Sequence, residues 1–324
     1  MKNIIVDTLG GDNGSRPIID AIKSFLKENN DFHIIAVGNQ EELQELEGIC
    51  EIIHAPDIVP MESGPLEVMR MKNSSMYVAN SLMKEKKGDA VVSCGSTGGF
   101  LSCATLMLKT APNVKRAAFV APFPTKIKGK KVVILDIGAS NENSPEELAQ
   151  FAVMGELYSR YIFNVEKPKV YLLSNGTEEG KGSPSGKEAY KLLKSNPYFK
   201  GNIEARNALS GEADVIVSDG FTGNVFLKSC EGTAKMMSTM MKNAFKKNLW
   251  TKLGYLHVKK GINEMVEIMD YKSTGGAMLL GINGVVVKAH GNSDEYAFRC
   301  ALNVAKSLVN ENIVTKISDG LSHE

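Results

Sequence analysis

Lys181 sits between two glycines in the run SNGTEEGKGS (174–183), and Asn224 closes the run DGFTGN (219–224). A lysine so placed is a compact point charge suited to phosphate, and it reads equally as a flexible surface residue. In the second run a short apolar stretch, Val215 to Val217, breaks at Asp219-Gly220. Thr222, Gly223 and Asn224 then lead into a helical pattern. A strand, a glycine turn and a helix start bring unpaired backbone N–H groups to one point, which attracts anions.

The same arrangement recurs. Asp7 and Asp12 flank Gly10 and Gly11 in VDTLGGDN (6–13), and Ser96, Thr97 and Gly98 follow the strand-like DAVVS (89–93). Asp136 and Ser140 bracket a glycine in DIGAS (136–140). Glycines at such turns let a ligand approach the backbone, or let helix and strand pack tightly. His290, in KAHGNSD (288–294), reads as a turn residue or as an acid/base or anion-binding group.

The elements that must carry these groups alternate. Strands are expected at 3–6, 33–37, 52–54, 89–93, 117–121, 131–136, 170–173, 215–217 and 285–288. Helices are expected at 17–27, 41–47, 74–86, 100–108, 225–250 and 294–308, with Ser144 and Pro145 opening another. The alternation predicts an α/β protein with parallel strands and crossover helices. Ligands in such sheets bind beyond the carboxyl ends of the strands, so the polar turns are expected to converge there. Lys126, Lys128 and Lys130 read as a hairpin protecting a sheet edge. The aperiodic stretch 56–73 is a long loop of the kind that is often functional.

The chain has 324 residues, 43% hydrophobic and 23% charged, with a net charge of +1. That suits one large α/β domain over 1–324 and gives no global field for nucleic acid. Five scattered cysteines without a CxxC suggest neither a metal site nor a disulfide framework. GxGxxG after the first strand and GxxxxGK[ST] are both absent, and no cofactor is implied. The opening MKNIIVD reads as a strand rather than a signal peptide, and no apolar run is long enough to span a bilayer. A cytoplasmic protein, or one on the cytosolic face of a membrane, is expected.

From Lys228 to Lys260 eight lysines face one acid, Glu231, a local excess of seven positive charges. The helical segment 225–272 that holds them is expected to protrude. It reads as a core or dimer helix with a solvated face. It also reads as a contact for an anionic membrane or an acidic protein, through Lys246, Lys247, Leu249, Trp250, Leu253 and Leu256.

Together VDTLGGDN, DAVVSCGSTGG, DIGAS, EEGKG, GEADVIVSDGFTGNVFLK and GGAMLLGINGVVVKAHGNSD, in order along nearly the whole chain, resemble the bacterial phosphate acyltransferase family. The resemblance implies a doubly wound, three-layer α/β/α fold, phosphotransacylase-like and isocitrate dehydrogenase-like. It implies transfer of a long-chain acyl group from acyl-acyl carrier protein to inorganic phosphate, for phospholipid synthesis. It also implies a homodimer held peripherally at the membrane. The family's proposed catalytic pair falls on Lys181 and Asn224, the lysine holding phosphate and the asparagine amide stabilising an oxyanion. Asp7, Gly10, Gly11, Asp12, Ser96, Thr97, Gly98, Asp136, Ser140, Asp219, Thr222, Gly223 and His290 are expected around the phosphate. Ser96, Ser140, Ser174 and Ser183 stand where the family pattern favours asparagine. Two other readings are a short-chain phosphotransacylase using acyl-CoA and a dehydrogenase of the related fold.

Overall fold

β-Branched runs such as Ile4-Ile5-Val6 and Val215-Ile216-Val217 are buried on both faces, the pattern of central strands in a covered sheet. The computed structural model describes residues 1–269 and 275–323. The strands are β1 Lys2–Asp7, β2 Phe32–Gly38, β3 Glu51–His54, β4 Ala90–Ser93, β5 Ala118–Pro124 and β6 Lys131–Leu135. They continue with β7 Val170–Ser174, β8 Phe199–Glu204, β9 Val215–Val217, β10 Ala277–Leu280 and β11 Val285–Lys288. Among the described residues they form one eleven-stranded sheet, ordered β3-β2-β1-β4-β11-β10-β5-β6-β9-β7-β8.

The helices are α1 Arg16–Glu28, α2 Pro65–Val68, α3 Ser75–Lys84, α4 Thr97–Leu108 and α5 Pro145–Phe163. They continue with α6 Pro184–Leu193, α7 Gly220–Lys246, α8 Leu249–Met269, α9 Glu295–Asn310 and α10 Ile313–Gly320. Ile22 of α1, Phe151 of α5, Leu193 of α6, Phe298 of α9 and Ile317 of α10 share one core with Ile4, Val92 and Val133. On the other face, Met76 of α3 and Phe100 of α4 share a core with Ile5, Val91 and Ile134. Alternate residues of each strand feed opposite layers, which gives the three-layer α/β/α architecture.

The sheet is not uniformly parallel. β1, β2, β3, β4 and β11 run one way, and β6, β7, β8 and β9 run the other, set apart by an antiparallel seam of β10 and β5. The cause is the β5–β6 hairpin, which reverses the chain before the second block starts. That hairpin lies inside the sheet rather than at an edge, which corrects the edge reading of its lysines. Lys130 instead pairs with Asp214 at 2.8 Å, and the edges are β3 and β8.

The helix expected over 41–47 is a short 3₁₀ turn at Gln44–Leu46. Leu43 and Leu46 are both fully buried, and residues three apart share one face in that tighter turn. The long helical pattern divides in two. α7 starts at Gly220, five residues before the expected Val225. Asn248 then accepts the Thr251 N–H at 2.9 Å at the start of α8. Phe245 and Tyr255 meet across the two helices as a tilted pair with ring centroids 5.2 Å apart. Residues 270–272 of the expected protrusion lie outside the described residues. Among the described residues no helix is long and apolar enough to cross a membrane.

Candidate active site

A cavity of about 420 Å³ opens where the strand ends of the two blocks meet over the seam. From the first block it takes Gly95 and Thr97 after β4, and Lys288 to Gly291 at the end of β11. From the second it takes Ile137 and Gly138 after β6, and Asn224, Leu227, Lys228 and Glu231 of α7. Phe119, Ala121, Pro122 and Phe123 of β5 make an apolar wall, and Met61 comes from the loop over 56–73. An apolar wall facing a few polar groups is the usual form of a small-molecule site.

Gly220 and Gly223, one turn apart in α7, bring Asn224 there. A Cβ on Gly220 would lie 2.1 Å from the Ser140 carbonyl oxygen, so the first turn of α7 can press onto the 136–140 loop only without one. Gly138, at φ 130°, then lies against the Asn224 amide: a Cβ there would be 3.4 Å from Nδ2. Asp136 fixes that loop from beneath. Its fully buried carboxylate accepts from the N–H groups of Phe119, Gly138 and Ala139 at 2.9, 3.0 and 2.9 Å, and from Ser140 N–H and Oγ at 2.9 and 2.7 Å. Burial pushes the carboxyl upward, and these donors pull against it. With its acceptors so occupied, Asp136 shapes the loop rather than meeting a ligand.

Several residues expected around the phosphate make structural contacts of their own. Asp219 caps α7, accepting from Thr222 N–H at 2.8 Å and Thr222 Oγ1 at 2.9 Å. The chain's own carboxylate thus occupies the anion point at that helix start. Ser96 caps α4, accepting from Gly99 N–H at 3.3 Å and donating to the Met61 carbonyl at 3.2 Å. Gly10 and Gly11 pack onto the β4 turn, where a Cβ on Gly11 would lie 2.7 Å from Cys94 Sγ. Asp12 is exposed, and its N–H donates to the Gly291 carbonyl at 2.8 Å. Gly98 is exposed beside Thr97, and Gly223 is buried against the Asp136 backbone.

His290 lines the cavity, half-buried. Burial lowers its pKa, opposed by Glu231 and assisted by Lys288 and Lys228, so at neutral pH the ring is uncharged. Lys228 pairs with Glu231 at 2.9 Å on the cavity wall. Lys181 is exposed in the loop between β7 and α6, outside the cavity wall. β7 lies beside β9 in the same block, so Lys181 follows the strand adjacent to the one that leads to Asn224.

Two wall residues escaped the sequence reading. Lys288 was expected only as the last residue of the strand 285–288, although it falls two residues after the buried Val286 and so on the same face. Lys228 was read only as part of the lysine-rich segment. Lys246 and Lys247 are exposed, as are Leu249, Trp250 at 81%, Leu253 and Leu256, and none of them lines the cavity.

A three-layer sheet of two opposed parallel blocks, with a cavity at their junction, defines the phosphotransacylase-like class of fold. The chain is similar to a branched-chain phosphotransacylase from Enterococcus faecalis V583, with a TM-score of 0.62 at 16% identity, covering 95% of this chain and 99% of that one. It is also similar to the EutD phosphotransacetylase from Staphylococcus aureus, with a TM-score of 0.58 at 18% identity, covering 95% and 94%. At such identities the likeness is one of fold. The family model described as "Fatty acid synthesis protein" matches residues 2–316. A phosphate acyltransferase from Nitratiruptor sp. is 42% identical over 326 residues, covering 99% of this chain and 98% of that one. One from Exiguobacterium sp. is 39% identical over 322 residues, covering 97% of each. The chain belongs to this family and is an acyltransferase.

Proposed function

We propose that the chain transfers a long-chain acyl group from acyl-acyl carrier protein to inorganic phosphate, giving acyl phosphate for phospholipid synthesis. The observation that carries this reading is the cavity: an apolar wall of β5 faces Asn224, Thr97 and Lys288 across a space that fits a thioester and a phosphate. An oxygen of hydrogen phosphate attacks the thioester carbonyl carbon. The carbon–sulfur bond breaks, and the phosphate proton leaves with the thiol. Phosphate is an adequate nucleophile by itself, so no serine or cysteine adduct is required. The Cys94 and Cys103 thiols are buried and pushed up to about 12, which makes them poor nucleophiles. The Asn224 amide N–H₂ stabilises the oxyanion, and Lys181 contributes positive charge from its neighbouring strand end.

The α7–α8 pair fits the expected outer contacts. Met236, Met237 and Met240 stay exposed along α7 and suit a second copy of the chain. Leu249, Trp250, Leu253 and Leu256, beside Lys246 and Lys247, suit an anionic membrane surface or the acidic carrier protein.

The deciding experiment incubates the purified chain with long-chain acyl-carrier protein and labelled phosphate. Phosphate-dependent acyl phosphate is expected. Product from short acyl-CoA but none from the carrier protein would replace this reading with a phosphotransacylase. No product from either, together with binding of a nicotinamide nucleotide, would favour the dehydrogenase reading.

A further inference from the structure

We propose that Lys288 is the cation that holds the phosphate dianion inside the cavity, a role that deepens the proposed function and rests on it for the identity of the anion. The register places it. Asp7, Ser93 and Lys288 are the last residues of three adjacent parallel strands and are directly paired across them, Asp7 with Ser93 and Ser93 with Lys288. Residues paired in this way project on one face. That face holds Ile5, Val91 and Val286 two residues earlier, and it is the face on which the cavity opens.

Lys288 is only 7% exposed. Its ammonium carries three donors. Among the described residues one of them reaches the Ala289 carbonyl, and no carboxylate forms a direct ion pair with it. A buried ammonium without a counter-ion is costly. The carboxylates nearby compensate only in part. Asp7 accepts from Ser93 Oγ at 2.7 Å and from Leu9 N–H at 3.3 Å, and burial pushes it towards the neutral acid. Asp12 is exposed. The Cys94 thiol, pushed up to about 12, is uncharged at neutral pH. An anion entering the cavity supplies what the fold leaves out.

The other cations are less suited. Lys228 is exposed and already paired with Glu231. His290 is neutral, and Lys181 lies outside the cavity wall. Burial lowers the Lys288 ammonium to about 8, with Asp7 and Asp12 opposing, so it is mostly protonated at neutral pH.

Phosphate binding tests this without any acyl donor. Titration of the wild-type chain with inorganic phosphate at about pH 8.5, in two buffers of different ionisation heat, should show proton uptake. Phosphate is then already the dianion, and its charge draws a proton onto a half-neutral amine. Asp7, Asp12 and Cys94 lie close to Lys288, and His290, Lys228 and Glu231 line the same cavity; burial lowers His290 and pushes the Cys94 thiol up to about 12, which takes both away from that range. Lys288→Met should weaken phosphate about ten- to a hundredfold, the worth of a hydrogen bond to a charged group. Lys288→Arg should recover part of it. Equal heats in the two buffers, unchanged affinity in Lys288→Met, or no phosphate binding by the wild type would each overturn the proposal. The wild-type titration holds even if Lys288→Met does not fold. Failure of acyl transfer with phosphate binding intact would instead remove the proposed function and leave the anion site.

Discussion

A Cβ on Gly223 would lie 1.8 Å from the Asp136 carbonyl oxygen and 2.6 Å from Ser218 Oγ. The obstacle is the backbone of a loop whose Gly138, Ala139 and Ser140 N–H groups all donate to the Asp136 carboxylate, so it cannot easily step aside. Gly223→Ala should therefore push the start of α7 off the 136–140 loop and carry Asn224 out of the cavity. The expected cost is about 1–3 kcal/mol of stability, with acyl transfer largely lost. Gly232, further along the same helix, has nothing within 4 Å of a built Cβ. Gly232→Ala should stabilise by about 0.5–1 kcal/mol through helix propensity alone. Denaturant unfolding and turnover of the two variants separate a packing requirement from a general intolerance of alanine in α7.

Asn224 is exposed at the cavity, and its removal leaves no buried group unpaired. Asn224→Ala should keep the wild-type unfolding midpoint and lower kcat about 10²–10³-fold, the usual loss for one oxyanion donor. Little change in the Michaelis constant for phosphate should accompany it, because the donor acts on charge that develops in the transition state. Unchanged kcat would remove Asn224 from the chemistry.

Much of this site was legible in the sequence because turn chemistry is local. Runs of glycine with serine, threonine or aspartate after β-branched residues marked the ends of β1, β4, β6 and β9, and the cavity draws on three of these. What could not be read was direction. Nothing local to the 125–130 turn says that the strands after it oppose those before it, so the five polar ends were expected at one edge. Lys288 was hidden for a related reason. A terminal lysine on VVVK is ordinarily solvated, and only pairing with Ser93 and Asp7 reveals that its end of the strand is enclosed. β8, β10 and α6 were missed because polar or glycine-flanked residues blur their periods, as in FKGNIE and PSGKEAYKLL. In the opposite sense, Asp219 and Ser96 carried strong ligand-like signals and turned out to be caps, because a residue suited to bind an anion at a helix start is equally suited to replace one.

Lys181 should matter less than its sequence setting suggests. It is exposed, and an exposed charge contributes on the order of 1 kcal/mol or less to a nearby anion. Lys181→Ala is expected to raise the Michaelis constant for phosphate only a few-fold, and the effect should shrink with added salt. A loss beyond about a hundredfold would mean that the β7–α6 loop closes over the cavity during turnover.

The apolar residues at the start of α8 are separable from the reaction. Leu249, Trp250, Leu253 and Leu256 are exposed and outside the cavity wall. Leu253→Glu should release the chain from vesicles containing anionic lipid while leaving turnover with free substrates close to wild type. Charge reversal at Lys246 or Lys247 would weaken lipid and carrier-protein contacts alike. The apolar-to-acidic change is therefore the informative one, read by vesicle co-sedimentation beside the assay.

The buried ammonium of Lys288 also leaves a mark on stability. Its folded-state pKa, about 8, lies below the value of a free lysine. Between those values the unfolded chain binds more protons than the folded one, so stability from this residue rises with pH. Below pH 8 the residue is a full liability, on the order of 3 kcal/mol before relaxation and water penetration reduce it. Lys288→Met removes that liability and should unfold at a temperature equal to or above wild type at pH 7. The difference should narrow as pH rises from about 8 towards the free lysine value near 10.4. Phosphate should narrow it as well at pH 7, by stabilising the wild type more than the variant. A variant less stable than wild type at every pH, with no effect of phosphate, would assign Lys288 to packing of the β11 end rather than to an anion.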